Sequence, residues 1–583
     1  MRHGPCGLLR RPATPTAAAA RPGTTTRGRA RAGSRRCSRR QVAAPTPHME
    51  PHCIPLQKLP HTSKLLTAFL EQFDRVASFY AYPPTPEGVL ASARTATLDG
   101  NIRRRVVEVL LEQNLAYGCD SSVVQNLQRL AAGAVAVVTG QQVGLFGGPA
   151  YSFYKALSAI ALARRLRAAG IDAVPVFWLA TEDHDLAEVN HCELPGRDGL
   201  VRLELTACEA DRGRRVGEIA LGQGIGPLLE RACALLEGPG ADRVGQSLRE
   251  SYRPGETYGR AFARLFARLL QGRGLVLFDP LEPRLHALTV SLYRQAIERS
   301  RELRTALLAR SRALEAAGFH PQVKVSETGT VLFLNLDGRR MPLRQRGEQF
   351  TANGQSLRAS QLLERLEVDP AAFTPNVLLR PVVQDWLLPT AAYVAGPAEL
   401  AYFAQAEVLY RQLGVRMPAV VPRAGFTLVP PQVQRLLRRY GLRAEEVFAG
   451  RQALRRRLEQ QFLSPALTRQ FDSGARTLTR VLAKLRAPLA KLDPTLVGAL
   501  ETAQKKILYQ YEKLRAKAGR ARNFRSGVLD RHEQLLRMFL YPHHHLQERT
   551  LSLLWFVALR GTDLLDELEQ RAESGDQHQV LFL

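Results

Sequence analysis

From Leu66 to Leu130 apolar residues recur three and four positions apart, and Gly and Pro thin out after Gly100, which predicts a helical lead-in. The period then changes. Ala134-Val135-Ala136-Val137-Val138 is a continuous apolar run between Gly133 and Gly140, the pattern of a strand buried on both faces of a parallel sheet. A glycine-rich turn, Gly140 to Gly148, follows. Pro149 opens a predicted helix to about Ala169, because the first helical position has no use for the N–H that proline lacks. Gly170 ends that helix, and Ala173 to Leu179 is the next apolar strand. Strand, turn, helix and strand in under fifty residues make a βαβ unit with a right-handed crossover.

Beyond it, Leu228 to Leu270 is mainly helical in pattern, and Gly274 to Asp279 is a further strand that ends in an acid. One long helix is expected over Pro283 to Ala316. Tight turns at Glu327-Thr328-Gly329 and Leu336-Asp337-Gly338 predict a small β insertion between Gln322 and Phe350. Helix-rich sequence with Gly-Pro turns returns from Pro375 to Pro422. Leu478, Leu482, Leu485, Leu489, Leu492 and Leu496 then alternate four and three apart, an a/d seam that Pro488 and Asp493-Pro494 interrupt. A helical hairpin or broken coiled coil is expected there, with self-association through it. Leu551 to Leu559 is the best apolar stretch, half the roughly 20 residues a spanning helix needs, and reads as a buried helix, so no membrane partner is expected.

Composition changes this picture little: 45% hydrophobic and 23% charged residues are ordinary for a globular chain. The net charge of +27 is more informative in its distribution. Residues 1–49 hold eleven Arg and no Lys, Asp or Glu, which leaves +16 for the remainder. Arg outnumbers Lys, and Ala, Leu and Gly abound, a coding bias as much as a basic function, so nucleic acid is not the expected partner. Residues 1–49 show no periodic apolar face, and they are expected to be a basic disordered extension or a mis-assigned start with Met49 as the true first residue. All seven Cys fall within the first 233 residues and none forms a C-x-x-C pair. Reduced thiols in the cytoplasm are expected, with Cys192 a buried bystander.

Two segments carry the candidate chemistry. In Thr139-Gly140-Gln141-Gln142-Val143-Gly144-Leu145-Phe146-Gly147-Gly148-Pro149, a glycine turn between strand and helix can offer backbone N–H groups to an anion. The turn lacks the Gly-Lys-Ser/Thr ending of a P-loop and the G-x-G-x-x-G spacing of a dinucleotide site. Tyr151 and Lys155 lie one helical turn apart just beyond it. The second segment, Glu182-Asp183-His184-Asp185 with Asn190 following, sits at the carboxyl end of a strand, where open α/β sheets bind ligands. An imidazole between carboxylates suits acid or base work. His184, Asp185 and His191 have no diagnostic ligand spacing, so no metal is expected. A weaker cluster holds Arg380, Gln384, Asp385 and Glu399, in which Arg380 can clamp a carboxylate or phosphate. His543-His544-His545 follows Pro542 in a predicted exposed turn.

Four segments, TGQQVGLFGGPAYSFYKALSAIALARRL, VPVFWLATEDHDLAEVNH, TPNVLLRPVVQDWLLPTAAYVAGPAEL and PHHHLQERTLSLLWF, resemble the bacillithiol-biosynthesis cysteine-adding family, BshC, in order from about Cys53 to Leu583. The resemblance implies an α/β fold: a Rossmann-like parallel sheet core, akin in shape to class I aminoacyl-tRNA synthetases, with connecting-peptide insertions and a C-terminal α-helical coiled-coil arm. The expected organisation is a helical lead-in over 50–130 and a core over 131–425 with insertions at about 200–272 and 318–372. The arm then covers 426–520, and 521–583 is a helical segment packed on the core. It implies a homodimer paired through the arm, and addition of L-cysteine to glucosaminyl-malate as an amide. Activation of the cysteine carboxyl implies ATP/ADP as the cofactor. On this reading His184, flanked by Asp183 and Asp185, takes the amine proton or holds the amine. Gly140, Gln141, Gln142, Gly147, Gly148, Tyr151 and Lys155, with Asn190, Arg380, Gln384, Asp385 and Glu399, would bind substrate. The synthetase motif His-x-Gly-His is absent, and GQQVGLFGGP stands in its place, so the nucleotide site is left open. The alternative is a synthetase-like nucleotide- or nucleic-acid-binding protein without ligase activity.

Overall fold

The computed structural model describes residues 50–460, 465–523, 527–575 and 578–583; the expected basic extension lies outside them. Along the chain come β1 (Val135–Gln141), α1 (Tyr151–Ala168), β2 (Ala173–Leu179) and β3 (Val276–Phe278). An insertion carries β4 (Gly329–Leu336), β5 (Arg339–Arg346) and β6 (Phe373–Pro375). The core resumes with α2 (Arg380–Leu387), β7 (Thr390–Ala395), α3 (Pro397–Leu413) and β8 (Ala419–Pro422). The central sheet has the order β8-β7-β1-β2-β3 with every pairing parallel. The chain winds outward from β1 through β2 to β3, then returns on the other side through β7 and β8. The gap between β1 and β7 is therefore the topological switch point, where such sheets open a crevice.

Continuous apolar runs make these strands because both faces are covered. Val135 to Gly140 and all of Ala173–Leu179 are buried. Gly140 faces Trp178 in register, and a Cβ there would lie 2.9 Å from the Trp178 carbonyl oxygen. Its glycine permits close strand contact. Helix α1 is buried on nearly every side, enclosed between the sheet and the C-terminal segment. It begins at Tyr151 rather than at Pro149, whose carbonyl instead accepts the Ser152 N–H at 3.0 Å.

The long helix expected over Pro283 to Ala316 is three helices, Pro283–Ala287, Val290–Glu298 and Ser300–Ala316. The break has a local and a distant cause. The Thr289 hydroxyl donates to the His286 carbonyl at 2.8 Å, and the Trp386 indole donates to the Leu288 carbonyl at 2.8 Å. Both take carbonyls that a continuous helix would use.

The β insertion is a five-stranded antiparallel sheet, Gln355–Arg358, Gln349–Ala352, β5, β4 and β6 in that order. Asp337 and Gly338, both at positive φ, turn β4 into β5 as a two-residue hairpin requires. Further on, β9 (Gly425–Val429) pairs in parallel with β10 (His578–Phe582), which also pairs with His52–Cys53. Leu553–Arg560 is a helix with its apolar residues buried, as the pattern predicted.

The arm is a hairpin of α4 (Pro465–Leu492) and α5 (Leu496–Asn523). Pro488 is carried inside α4, so the only interruption is at Asp493-Pro494, where the Asp493 carboxylate accepts the Thr495 N–H and hydroxyl, each at 2.8 Å. Leu478, Leu482, Leu489 and Leu496 are half-buried, while Leu485 and Leu492 keep 46% and 79% of their surface exposed. No helix among the described residues is long and apolar enough to cross a membrane.

Candidate functional site

A cavity of about 790 Å³ opens at the carboxyl ends of β1, β2 and β7, beside the switch point, with the β insertion as its far wall. Gly140, Gln141, Gln142, Tyr151, Lys155, Asp183, His184, Arg380 and Glu399 line it, as do Glu182, Trp178, Arg340, Tyr393 and Tyr402.

The floor is a closed ionic knot. Glu399 sits in the first turn of α3, and its carboxylate accepts the Gly396 N–H at 2.7 Å and the Tyr393 hydroxyl at 2.6 Å. It also pairs with the Lys155 ammonium at 2.5 Å. Lys155 donates further to the Gly140 carbonyl and to Gln141 Oε1, both at 2.7 Å. An ammonium has three donors, and all three are used. Burial pulls Lys155 down to about 8 against the opposing charge of Glu399. Lys155 is thus a strut between β1 and α3, where the sequence suggested an anion ligand.

Arg380 is different. The Asn376 side chain accepts the N–H groups of Leu378 and Leu379 at 3.0 Å, which fixes the turn that opens α2 at Arg380. The guanidinium donates to Gln384 Oε1 at 3.1 Å, to the Tyr402 hydroxyl at 3.0 Å and to the Tyr393 hydroxyl at 3.3 Å, and its Cζ lies 6.0 Å from the Trp178 ring. Every one of these contacts is neutral. No carboxylate among the described residues forms an ion pair with it, although the charge of Glu399 reaches it through the Tyr393 hydroxyl between them. Gln384 and Asp385 stand behind Arg380 and outside the cavity. Asp385 accepts from Gln384 at 2.8 Å and from Tyr410, and burial pushes it up to about 6.

The loop after β2 is fixed from both sides. The Thr181 hydroxyl donates to Asp279 at 2.5 Å, and the N–H groups of Val216 and Gly217 donate to the carbonyls of Asp183 and Thr181. Burial would raise Asp183, but hydrogen bonds from His184 and Gln142 and the charge of Arg340 hold it well below the usual carboxylate range. Arg340, on β5, donates to Thr374 Oγ1, to the Pro375 carbonyl and, at 3.0 Å, to His184 Nδ1. Asp183 is farther from that nitrogen, at 3.6 Å. A guanidinium can only donate, so Nδ1 is the acceptor and Nε2 carries the proton. The structure thereby corrects the picture of an imidazole between two carboxylates: its basic nitrogen faces Arg340, and Asp185 is exposed outside the cavity.

Glu182 was read only as part of this loop. Its side chain keeps 9% exposure and accepts no hydrogen bond from the described residues. Oε1 lies 3.6 Å from His286 Nε2, itself a buried nitrogen without a hydrogen-bond partner. Burial pushes Glu182 up to about 7 and, with the charge of Arg215, lowers His286 to about 4. The pair is spaced like a salt bridge, yet burial disfavours the charge on each member.

Besides Asp185, Gln384 and Asp385, three further expected residues lie outside the cavity. Gly147 and Gly148 fold back, their N–H groups donating to the carbonyls of Gly144 and Leu145, around a buried Phe146 at φ 51°. Their amides close the turn and are not offered to an anion in the cavity. Asn190 donates to the Leu205 carbonyl at 3.2 Å and braces the hairpin His191–Gly196/Gly199–Glu204. His543 is exposed and meets Glu193 at 2.9 Å. Cys192 is buried, and burial pushes its thiol up to about 12. Among the described residues, no group of three or more His, Cys, Asp or Glu is arranged to hold a metal ion.

Comparison with known families settles the lineage. Residues 49–424 match the family model of the N-terminal Rossmann-like domain of bacillithiol biosynthesis BshC, and residues 426–583 match its C-terminal coiled-coil domain. The chain belongs to the BshC family. A relative from Koribacter versatilis (strain Ellin345) is 40% identical over 533 residues, covering 91% of this chain and 100% of its own length. One from Solibacter usitatus (strain Ellin6076) is 39% identical over 518 residues, covering 88% and 95%. One from Salinibacter ruber (strain DSM 13855 / M31) is 33% identical over 526 residues, covering 89% and 96%. Each carries the name "Putative cysteine ligase BshC". The border between the two BshC domains falls between β8 and β9, and the cavity draws on both sides of it. Arg549, from the C-terminal domain, lines the cavity with its Cζ 5.9 Å from the Tyr151 ring. Arg423 also lines it, and behind the cavity wall Arg423 and Glu548 close the border with two buried hydrogen bonds of 3.0 and 2.6 Å.

Proposed function

We propose that this protein is an amide-forming cysteine ligase of bacillithiol biosynthesis, joining the carboxyl of L-cysteine to the amine of glucosaminyl-malate in the cytoplasm. One observation carries this reading: a single cavity is lined by Arg380, a half-buried guanidinium whose hydrogen bonds all go to neutral partners, by the buried carboxyl of Glu182, and by the half-buried His184 bonded to Arg340. The malyl carboxylates suit Arg380, because a planar guanidinium recognises carboxylate well. The amine suits the Glu182 and His184 side of the same cavity.

An amide does not form from a free carboxylate without activation, and ATP is the proposed source. The amides of Gly144, Gly147 and Gly148 are bonded to the carbonyls of Gln142, Gly144 and Leu145, and no step is assigned through the nucleotide. Two copies are proposed to pair through the arm, on which Leu485 and Leu492 stand exposed.

Thiols in cell extracts test the reading by mass. A deletion strain is expected to accumulate glucosaminyl-malate without bacillithiol, and an Arg380→Met strain to do so in large part. Normal bacillithiol in the deletion strain would overturn the assignment.

A further inference from the structure

A buried carboxyl group that accepts no hydrogen bond is expensive when charged, and it is kept cheaply only where something arrives to meet it. Glu182 is such a group. It lines the cavity, its neighbours Thr181 and Asp183 are pinned by the loop contacts already described, and no donor among the described residues reaches it. On its inner side stands the unpartnered Nε2 of His286. We infer that Glu182, and not His184, takes the proton from the attacking substrate amine, with His286 backing the carboxyl from the protein side. This rests on the ligase reading above.

The groups around Glu182 fit the task. Arg340 reaches in from β5, Arg380 from α2 and Arg215 from the loop before Val216, and all three favour the carboxylate. Asp279, after β3, opposes it, and burial opposes it most; the net result is a carboxyl that changes charge at about 7. His286 and Tyr293, from the helices Pro283–Ala287 and Val290–Glu298, and Asp183 next in the chain complete its surroundings. A proton acceptor is most effective when its pKa lies near the working pH. His184 lacks the required lone pair, since Nδ1 already accepts from Arg340 and Nε2 bears the hydrogen. Its place is that of a donor.

The step balances simply. The substrate enters as R–NH3+ and lies against the Glu182 carboxylate, which gains the hydrogen-bond donor it lacks. One proton passes to Glu182, leaving R–NH2 and a carboxylic acid. The freed lone pair forms the N–C bond at the carbonyl carbon of an acyl donor that bears a good leaving group. The bond to that group breaks with its electron pair, and the second nitrogen proton departs with it. Glu182 then returns its proton to solvent.

The test uses the purified full chain, following amide formation from an activated cysteine donor across pH for wild type, Glu182→Gln and Glu182→Asp. Glu182→Gln is expected to lower kcat by about 100-fold or more, to raise KM for the amine by about 10-fold because the ammonium loses a charge-assisted hydrogen bond, and to abolish the acid limb of the pH profile. Should the Gln variant fail to fold by its melting curve, the shorter Asp carries the test through a displaced acid limb. Wild-type activity with an unchanged kcat and pH profile in the folded variant overturns the proposal. Wild-type protein that forms no product refutes the ligase reading, and this inference falls with it.

Discussion

Replacing Glu182 by Gln should make the protein more stable above neutral pH. Burial lifts this carboxyl from an ordinary 4.5 to about 7. A raised carboxyl adds stability that is fully present below its unfolded value and is lost as pH rises through the folded one. Ionising it in place therefore costs about 3 kcal/mol by about pH 8, whereas Gln is neutral throughout. The Rossmann-like domain spans residues 49–424. If it melts as a unit at roughly 2 cal/mol/K per residue, 3 kcal/mol corresponds to about 4 °C. Melting curves of both proteins at pH steps from about 4.5 to 8.5 supply the difference, from which other titrating groups largely cancel. The two should coincide near pH 4.5, and the variant should melt about 4 °C higher at pH 8. A difference independent of pH, or a variant less stable at pH 8, would refute the placement of a poorly solvated carboxyl in the cavity wall. The same substitution is expected to slow the reaction, so stability and turnover should move in opposite directions.

Three further outcomes follow from the contacts. Arg380→Met should raise KM for glucosaminyl-malate about 10- to 100-fold, the worth of a charge-assisted hydrogen bond, and Arg380→Lys should restore only part of it because an ammonium cannot copy the planar fork; steady-state kinetics with KM within twofold of wild type would count against the anion role. Glu548→Ala strips Arg423 of its carboxylate at the domain border, where both are buried, and should cost about 3–5 kcal/mol in a denaturant or thermal melt, while an unchanged melt would mean that the border is held by packing alone. Leu485→Asp combined with Leu492→Asp should convert a dimer to a monomer by light scattering without lowering the melting temperature, because both side chains are already exposed within one chain; a persistent dimer would place the contact elsewhere.

The core strands were legible because burial on both faces writes a continuous apolar run, and β1, β2 and β3 fall where those runs stand. Strands β7 and β8 were not separated from the helix-rich stretch around them. Thr390-Ala391-Ala392-Tyr393-Val394-Ala395 is small and alanine-rich, with little of the branched character that marks strands, and its place beside β1 comes from tertiary packing. Position at the end of β2 likewise announced a site in the Glu182–Asp185 loop. Which of its side chains faces the ligand was set by a residue far away. Arg340, 156 residues on from His184, occupies the basic nitrogen of that imidazole and shifts the base role to its neighbour. The glycine turn shows the same limit from the other side: glycine spacing signals that backbone must bend or approach closely, and here Gly140 and Gly147 spend that freedom on Trp178 and Phe153. Lys155 and Arg380 both looked like anion ligands, and only the count of acceptors around each separates them. Lys155 meets Glu399 and two further oxygens and is satisfied, whereas Arg380 meets three neutral groups and keeps its charge. In this fold local pattern places the cavity, and the two groups in its wall without a charged hydrogen-bond partner, Glu182 and Arg380, mark where a substrate bearing one amine and a set of carboxylates would complete it.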